Sequence, residues 1–233
     1  KDYSGLYCVG CEAFYTPDDL TPQGLCPEHL TEPELVQETN WFFRLSKYQD
    51  QVEEVIANDQ VLIRPTSRKN EVLSFVRQGL EDISVSRSVA RSRGWGIRVP
   101  GDESQVMYVW IDALTNYINA LGWNERAPSY VKYWEKAEER IHVLGKGVIR
   151  FHAVYWLAML ISAGLPLPTQ ELVHGYITLS GSKISKSLGN SVDAIELVNE
   201  YGRDAVRYYL LAEFTPYGDG DFSIERLIHR YNH

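Results

Sequence analysis

Long apolar runs are missing from this 233-residue chain. The longest candidate, 153–165, falls short of the ~18 residues a membrane-spanning helix needs and stops at Pro166, so it reads as a buried core helix. A signal sequence is missing as well: the chain opens Lys1-Asp2-Tyr3-Ser4 with no apolar block behind it. It lacks an initiating methionine, which puts the expected start of the protein upstream. Excess positive charge is absent, the formal net charge being −8. A broad DNA or RNA binder, which needs a basic footprint, is thereby disfavoured, while a local basic strip is not. Cysteine is scarce and odd in number, three in all, with one tight C-x-x-C pair. That argues against a secreted disulfide framework and for a reducing, cytoplasmic setting with a metal site. No repeat or low-complexity segment stands out. What remains is an ordinary globular composition, 44% hydrophobic and 23% charged, enough for one large or two modest domains.

The cysteines come first among the features present. Cys8-Val9-Gly10-Cys11 and Cys26-Pro27-Glu28-His29 form C-x2-C-x14-C-x2-H, which uses every cysteine in the chain. Two knuckles of this spacing suit tetrahedral Zn2+, which favours thiolate and imidazole. Gly10 and Gly24 are expected to turn the chain at the knuckles. With all four positions filled by Cys8, Cys11, Cys26 and His29, no open coordination place is left, so the expectation is a structural zinc. Competing readings are three unrelated buried cysteines beside a surface histidine, or a redox pair of Cys8 and Cys11. The placement of Cys26 and His29 favours the metal.

A second feature is Lys183-Ile184-Ser185-Lys186-Ser187-Leu188-Gly189-Asn190, preceded by Gly181. Glycines permit close backbone approach, hydroxyls and N–H groups can hold phosphate oxygens, and two lysines add charge. Such a loop suits charge developing on a departing polyphosphate. The plainer alternative is a solvated basic turn before a helix.

Periodicity then organises the chain. Residues 64–79 read as a helix with Val72, Leu73 and Val76 on one face, 83–87 as a strand, and 95–102 as a strand and turn. From Val106 the pattern alternates: strand 106–111, helix 112–121, strand 141–145, helix 150–163, strand 171–179. That spacing predicts βαβ units and a parallel sheet, with sites just after Val109, Leu144 and Leu179, at the carboxyl ends of strands. Asp193 is expected to cap a helix, 204–212 to form another, and 223–233 to begin an amphipathic one.

Several separated segments resemble the methionyl-tRNA synthetase family in its own order. The octet from Lys183 resembles the KMSKS signature of class I aminoacyl-tRNA synthetases. Tyr108-Val109-Trp110-Ile111-Asp112-Ala113-Leu114-Thr115-Asn116-Tyr117 resembles the family's methionine-pocket segment. Leu144-Gly145-Lys146 with Phe151-His152, Val173-His174-Gly175-Tyr176, Asn40-Trp41-Phe42-Phe43-Arg44-Leu45, Ser84-Val85-Ser86-Arg87 and the Cys/His knuckles also fit.

The resemblance implies an α/β fold: the second half of a Rossmann-like parallel-sheet domain, with a zinc-bearing connective-peptide insertion and a stem-contact helical region. It divides the chain into 1–86 (connective peptide), 87–179 (catalytic half), 180–222 (signature loop and stem contact) and 223–233 (start of an anticodon-binding bundle). It implies methionine, ATP with Mg2+, and tRNA(Met) as partners, with no membrane and no DNA. Trp110, Ala113, Leu114, Tyr117, Val148, Phe151 and His152 would line a methionine pocket, whose aromatic edges suit a polarisable sulfur. Gly145, Gly147, His174, Ile177, Lys183 and Lys186 would meet ATP, with Lys186 and Lys183 the catalytic pair.

Departures are specific. The family's His-x-Gly-His signature has no counterpart, since no two of His29, His142, His152, His174, His229 and His233 stand three apart. The chain is therefore expected to be an internal fragment, inactive alone. Gly147 stands where the family has an aspartate that contacts the ribose, a loss of roughly 1.5–3 kcal/mol. Leu157 replaces a common proline, a harmless change inside a helix. The alternatives are a class I synthetase for leucine, isoleucine, valine or cysteine, and a zinc-bearing RNA-binding protein that retains the fold.

Overall fold

In the computed structural model, which describes residues 1–11, 13–184 and 192–233, the strand Asp2–Cys8 pairs antiparallel with both Ala13–Tyr15 and Glu34–Thr39. This ribbon belongs to the first of two compact units, Lys1–Lys47 with Leu80–Glu125; the second is Tyr48–Gly79 with Arg126–His233. Residues 48–79 cluster with the later half because Leu62–Arg64 is a strand of its parallel sheet.

In the first unit Ser86–Ser88 and Arg98–Val99 flank Asp102–Met107 in an antiparallel sheet, and Phe42–Phe43 pairs with Ile83–Ser84. The expected strand at 95–100 is thus reduced to two residues. The apolar run 106–111 is also divided. Its first part ends the strand Asp102–Met107, and the helix Val109–Asn119 begins after Tyr108, which has extended backbone at φ −63°, ψ 131°. A short apolar run carries no period that separates strand from helix, and here it is both. The core of this unit includes a charge. Arg87 is buried, with its guanidinium 4.1 Å from the Tyr108 ring centroid and 5.0 Å from that of Phe14. Its Nη1 donates to Ser84 Oγ at 3.0 Å and to the Ser86 carbonyl at 2.8 Å. The surrounding ring faces and the two Nη1 bonds let this cation stand in the core, although its buried Nε has no hydrogen-bond partner among the described residues.

The second unit holds the parallel sheet, in the order Ile141–Gly145, Gln170–His174, Leu62–Arg64. The expectation of a parallel sheet holds, but its third member is Leu62–Arg64 rather than 106–111. The strand expected over 171–179 breaks at Gly175 and Tyr176. Its second part, Ile177–Leu179, joins another sheet, parallel to Gly220–Phe222 and antiparallel to Ser182–Lys183. The helix expected over 150–163 is a π-helical turn, Phe151–Trp156, running into the α-helix Leu157–Ala163, which Gly164 ends in left-handed conformation at φ +65°. It is buried nearly all round, as its unbroken apolar composition requires. The predicted helix 64–79 forms as Thr66–Arg77 and buries Val72, Leu73 and Val76.

Beyond the sheets, Ala194–Tyr201, Arg203–Glu213 and Ile224–Asn232 gather around Tyr209, Phe222 and Leu227. Asp193 caps the first of these, accepting from the Ile195 and Glu196 amides at 2.7 and 3.3 Å. Ser223 caps the last, accepting from the Arg226 amide. Among the described residues no helix is long and apolar enough to cross a membrane.

Candidate functional site

Three places carry the candidate chemistry. In the first unit, Cys8 ends the strand Asp2–Cys8, and Cys11 follows in the turn. Cys26 and His29 come from a second loop, closed by Leu30 N–H to Cys26 O and Cys26 N–H to Thr31 O, at 2.8 and 2.9 Å. The four donor atoms lie within 4.8 Å of one another. Cys11 Sγ is 3.4 Å from Cys26 Sγ and 3.1 Å from His29 Nδ1; Cys8 Sγ and Cys26 Sγ are 3.9 and 4.0 Å from the same nitrogen. Donors bound 2.0–2.3 Å from one tetrahedral ion would stand about 3.3–3.8 Å apart, so the set fits zinc. Nδ1 is the imidazole nitrogen that faces the thiols, a detail that spacing cannot supply. Gly10 proves to be required by close approach: a Cβ there would stand 2.8 Å from the His29 ring.

The thiols are polarised in opposite directions. Burial, reinforced by the neighbouring thiols and opposed by the Tyr15 hydroxyl, pushes Cys11 up to about 12. Cys26 is held down to about 6, burial opposing, by hydrogen bonds from His29, Cys11 and the Glu28 amide. Tyr15 donates to Cys11 Sγ at 3.0 Å and is itself raised, by burial first and then by those thiols. A dication among these donors favours the thiolate form of all of them.

The second place is the carboxyl edge of the parallel sheet, where open α/β sheets bind ligands. Gly145 and His174 end neighbouring strands and are paired in register. His174 is exposed, and its Nδ1 donates to the Gly175 carbonyl at 2.8 Å. Lys146 Nζ pairs with Asp219 Oδ2 at 2.7 Å and lies 4.7 Å from the Tyr176 ring centroid. The other oxygen of Asp219 accepts the Tyr176 amide at 2.8 Å. The Lys146 ammonium and then the Tyr176 amide hold Asp219 below the usual carboxylate range. Gly147 sits beneath Tyr176: a Cβ at 147 would fall 2.0 Å from the phenol oxygen. The place a side chain at 147 would take is thus filled by a tyrosine hydroxyl.

One turn further, Asp221 accepts from Thr178 Oγ1 and the Gly181 amide, both at 2.8 Å, and is held low by that amide and that hydroxyl. It fixes the hairpin Ile177–Leu179 to Ser182–Lys183, which leads into the signature lysines. Ile177 is exposed at the start of that hairpin. The sequence reading missed Asp219 and Asp221; the signal was there, in Gly218-Asp219-Gly220-Asp221. Lys183 lies in the short strand, while Lys186 is outside the described residues.

The expected pocket residues draw on both units. Trp110, Ala113, Leu114 and Tyr117 share about 100° of the helix Val109–Asn119. Trp110 and Tyr117 are half-buried, Ala113 is exposed, and Leu114 is in the core beside Ile118. In the second unit Val148 ends the short helix 146–148, and its carbonyl accepts from His152 Nδ1 at 3.0 Å. Burial depresses His152, so it is neutral at pH 7. Phe151 packs edge-on against Tyr155, centroids 5.4 Å apart. Behind these, His142 lies in register with Glu171 and 6.0 Å from the His152 ring. Glu171 is wholly buried, and neither carboxyl oxygen has a hydrogen-bond partner among the described residues. Burial pushes it up to about 8, while burial and the neighbouring His152 hold His142 down to about 4.

The family described as tRNA synthetases class I (M) matches residues 1–233. The methionine–tRNA ligase of Rickettsia conorii is 48% identical over 230 residues, covering 99% of this chain and 44% of the relative. That of Thermotoga maritima is 43% identical over 233 residues, covering 99% and 36%. Mycobacterium tuberculosis methionyl-tRNA synthetase in complex with methionyl-adenylate has the same fold at a TM-score of 0.91 and 41% identity, over 100% of this chain and 45% of that one. The chain spans less than half the length of these relatives.

Proposed function

From the premise that the chain belongs to the class I tRNA synthetases (M), we propose that the protein activates methionine with ATP and transfers it to tRNA(Met). A methionine carboxylate oxygen attacks the α-phosphorus of ATP. The bond to the bridging oxygen breaks, and pyrophosphate leaves. A terminal ribose hydroxyl of the tRNA then takes the methionyl group and releases AMP. The nucleophile is competent at neutral pH, so the work is positioning and stabilisation of phosphate charge.

One observation carries the reading. The carboxyl edge at Gly145 and His174 continues through Tyr176 directly into the hairpin that delivers Lys183. The proposed ligand-binding edge and the proposed phosphate-binding lysines would therefore follow one another in one unit. Lys186, with Lys183 assisting, is assigned the departing pyrophosphate, and Mg2+ accompanies ATP. Gly145, Gly147, His174 and Ile177 are assigned to the nucleotide. Trp110, Ala113, Leu114, Tyr117, Val148, Phe151 and His152 are assigned to methionine, whose polarisable thioether suits aromatic edges. Zinc, held by Cys8, Cys11, Cys26 and His29 Nδ1, would supply cross-linking of the two knuckles and no chemistry. Residues 180–222 are assigned to the tRNA stem, 223–233 to the start of an anticodon-binding bundle, and the protein to the cytoplasm.

The test is amino-acid-dependent ATP–pyrophosphate exchange by the natural full-length polypeptide. Exchange is expected with methionine and not with leucine, isoleucine, valine or cysteine. Exchange with one of those instead would reassign the substrate. No exchange with any, in a folded protein, would move the reading to an RNA-binding descendant.

A further inference from the structure

The segment 83–101 holds four arginines, Arg87, Arg91, Arg93 and Arg98, and no acid, in a chain where 31 acidic residues outnumber 23 basic ones. Two of the four are committed: Arg87 is buried among rings, and Arg91 Nε pairs with Glu38 at 2.9 Å. Arg93 and Arg98 are exposed and have no ion pair among the described residues. Neither acid that follows them pairs with Arg93 or Arg98 among the described residues. Asp102 accepts from Ser104 and from Trp41 Nε1, and Arg98 Nη1 reaches the carbonyl of Glu103, at 3.0 Å. Between the two arginines stands Trp95, 71% exposed.

The backbone holds that indole outward. Gly94 and Gly96 bracket it at φ +78° and +123°, conformations a side chain would strain, and a Cβ at 96 would press on Val106 at 3.2 Å. The turn is closed by Arg93 N–H to Ala90 O, Gly94 N–H to Val89 O and Trp95 N–H to Ser92 O, at 3.2, 2.9 and 3.0 Å. A large flat ring is thus displayed on a turn already fixed before any partner arrives, with little ordering left to oppose binding.

We propose that Trp95, flanked by Arg93 and Arg98, is a stacking platform for unpaired RNA nucleotides. Every base has a π face to lay on the indole, and the guanidinium groups reach the phosphates on either side. An acidic peptide would satisfy the arginines and leave the indole unused. That the RNA is a tRNA rests on the function proposed above; the platform itself does not.

The experiment is a fluorescence-anisotropy titration of a short, unpaired, fluorescein-labelled oligoribonucleotide with the natural full-length protein, without methionine or ATP. Failure of the activation reaction therefore leaves this readout intact. Trp95→Ala should weaken binding about tenfold or more. Trp95→Phe, which keeps a ring, should lose much less. Arg93→Gln should lower the slope of log affinity against log salt by about one. Equal affinities of Trp95→Ala and the parent would overturn the platform. So would a polyglutamate peptide or anionic vesicles binding more tightly than the oligonucleotide with the same dependence on Trp95, since the tip would then serve an acidic protein or a membrane surface.

Discussion

The Cys/His knuckles and the carboxyl edge of the parallel sheet are both candidate sites, yet they are built in opposite ways. At the knuckles four side chains within 22 consecutive residues converge, and identity and spacing alone announce the purpose. At the edge the deciding contacts run between residues 43 and 73 apart in sequence, Tyr176 to Asp219 and Lys146 to Asp219. A cluster dictated by the coordination of one ion leaves a signature in spacing. A crevice shaped by backbone approach leaves mostly glycines, which are ambiguous. Chelation is the strongest way to test this contrast. Stripping zinc should unfold the first unit's ribbon, because the binding free energy of a structural zinc is of order 10 kcal/mol and much of it is folding energy. Hydrogen exchange should show Asp2–Cys8 and Glu34–Thr39 losing protection while Ile141–Gly145 and Gln170–His174 keep theirs. Equal loss in both units, or in neither, would remove the distinction.

The next largest effect belongs to the lysine signature that follows the edge in sequence. Lys186→Ala should slow methionine activation by about 10²–10³ while methionine affinity changes little, since the lysine is assigned to charge that appears as pyrophosphate leaves. Equal losses in affinity and rate would instead make it a general binding residue.

These two tests address what the sequence made legible. The helices were readable wherever a period of 3.6 had room to show, as at Val72, Leu73 and Val76. Capping was readable too at Asp193, which acts on amides two and three residues away. The sheet was half readable. Leu62–Arg64 is too short for a period, and Pro65 directs attention to the helix behind it. The 171–179 segment looks continuous because its apolar residues do not reveal that the chain changes sheets at Gly175. Glu171 was invisible as a buried acid, since a single glutamate in an apolar strand usually marks an exposed face.

That acid yields the third test. Glu171 has its folded value raised from 4.5 to about 8, so its contribution to stability is complete below 4.5 and is lost as pH rises towards 8. His142 runs the other way: lowered from 6.5 to about 4, its contribution is complete above 6.5 and is lost as pH falls through 4. The slopes oppose each other between pH 4.5 and 6.5. From 6.5 to 8 Glu171 alone of this pair titrates, with a slope of up to about 1.4 kcal/mol per pH unit, while Cys26, lowered to about 6, acts in the opposite sense. The urea midpoint of Glu171→Leu should therefore rise relative to the parent's between pH 6.5 and 8. A difference between the two proteins that does not change with pH would place the slope outside the buried carboxyl.

The smallest effect probes the feature that most separates this edge from the knuckles. Gly10 and Gly147 both look like loop glycines, and both are required by an approaching ring, His29 in one case and Tyr176 in the other. Tyr176 is tethered by Lys146 beneath its ring and by Asp219 at its amide. Gly147→Asp must therefore displace the phenol from its place over Lys146, at a cost of about 1–3 kcal/mol. In a Tyr176→Phe background the nearest obstacle recedes from the hydroxyl at 2.0 Å to the ring carbon at 3.2 Å, and the penalty should shrink. The same pair bears on nucleotide binding. Under the proposed function, the aspartate tightens ATP only once the hydroxyl is gone, so the double variant should bind ATP better than either single one. Additive energies across this cycle would show that glycine and tyrosine are independent. The hydroxyl would then be an occupant of the place a side chain at 147 would take without being the reason for the glycine.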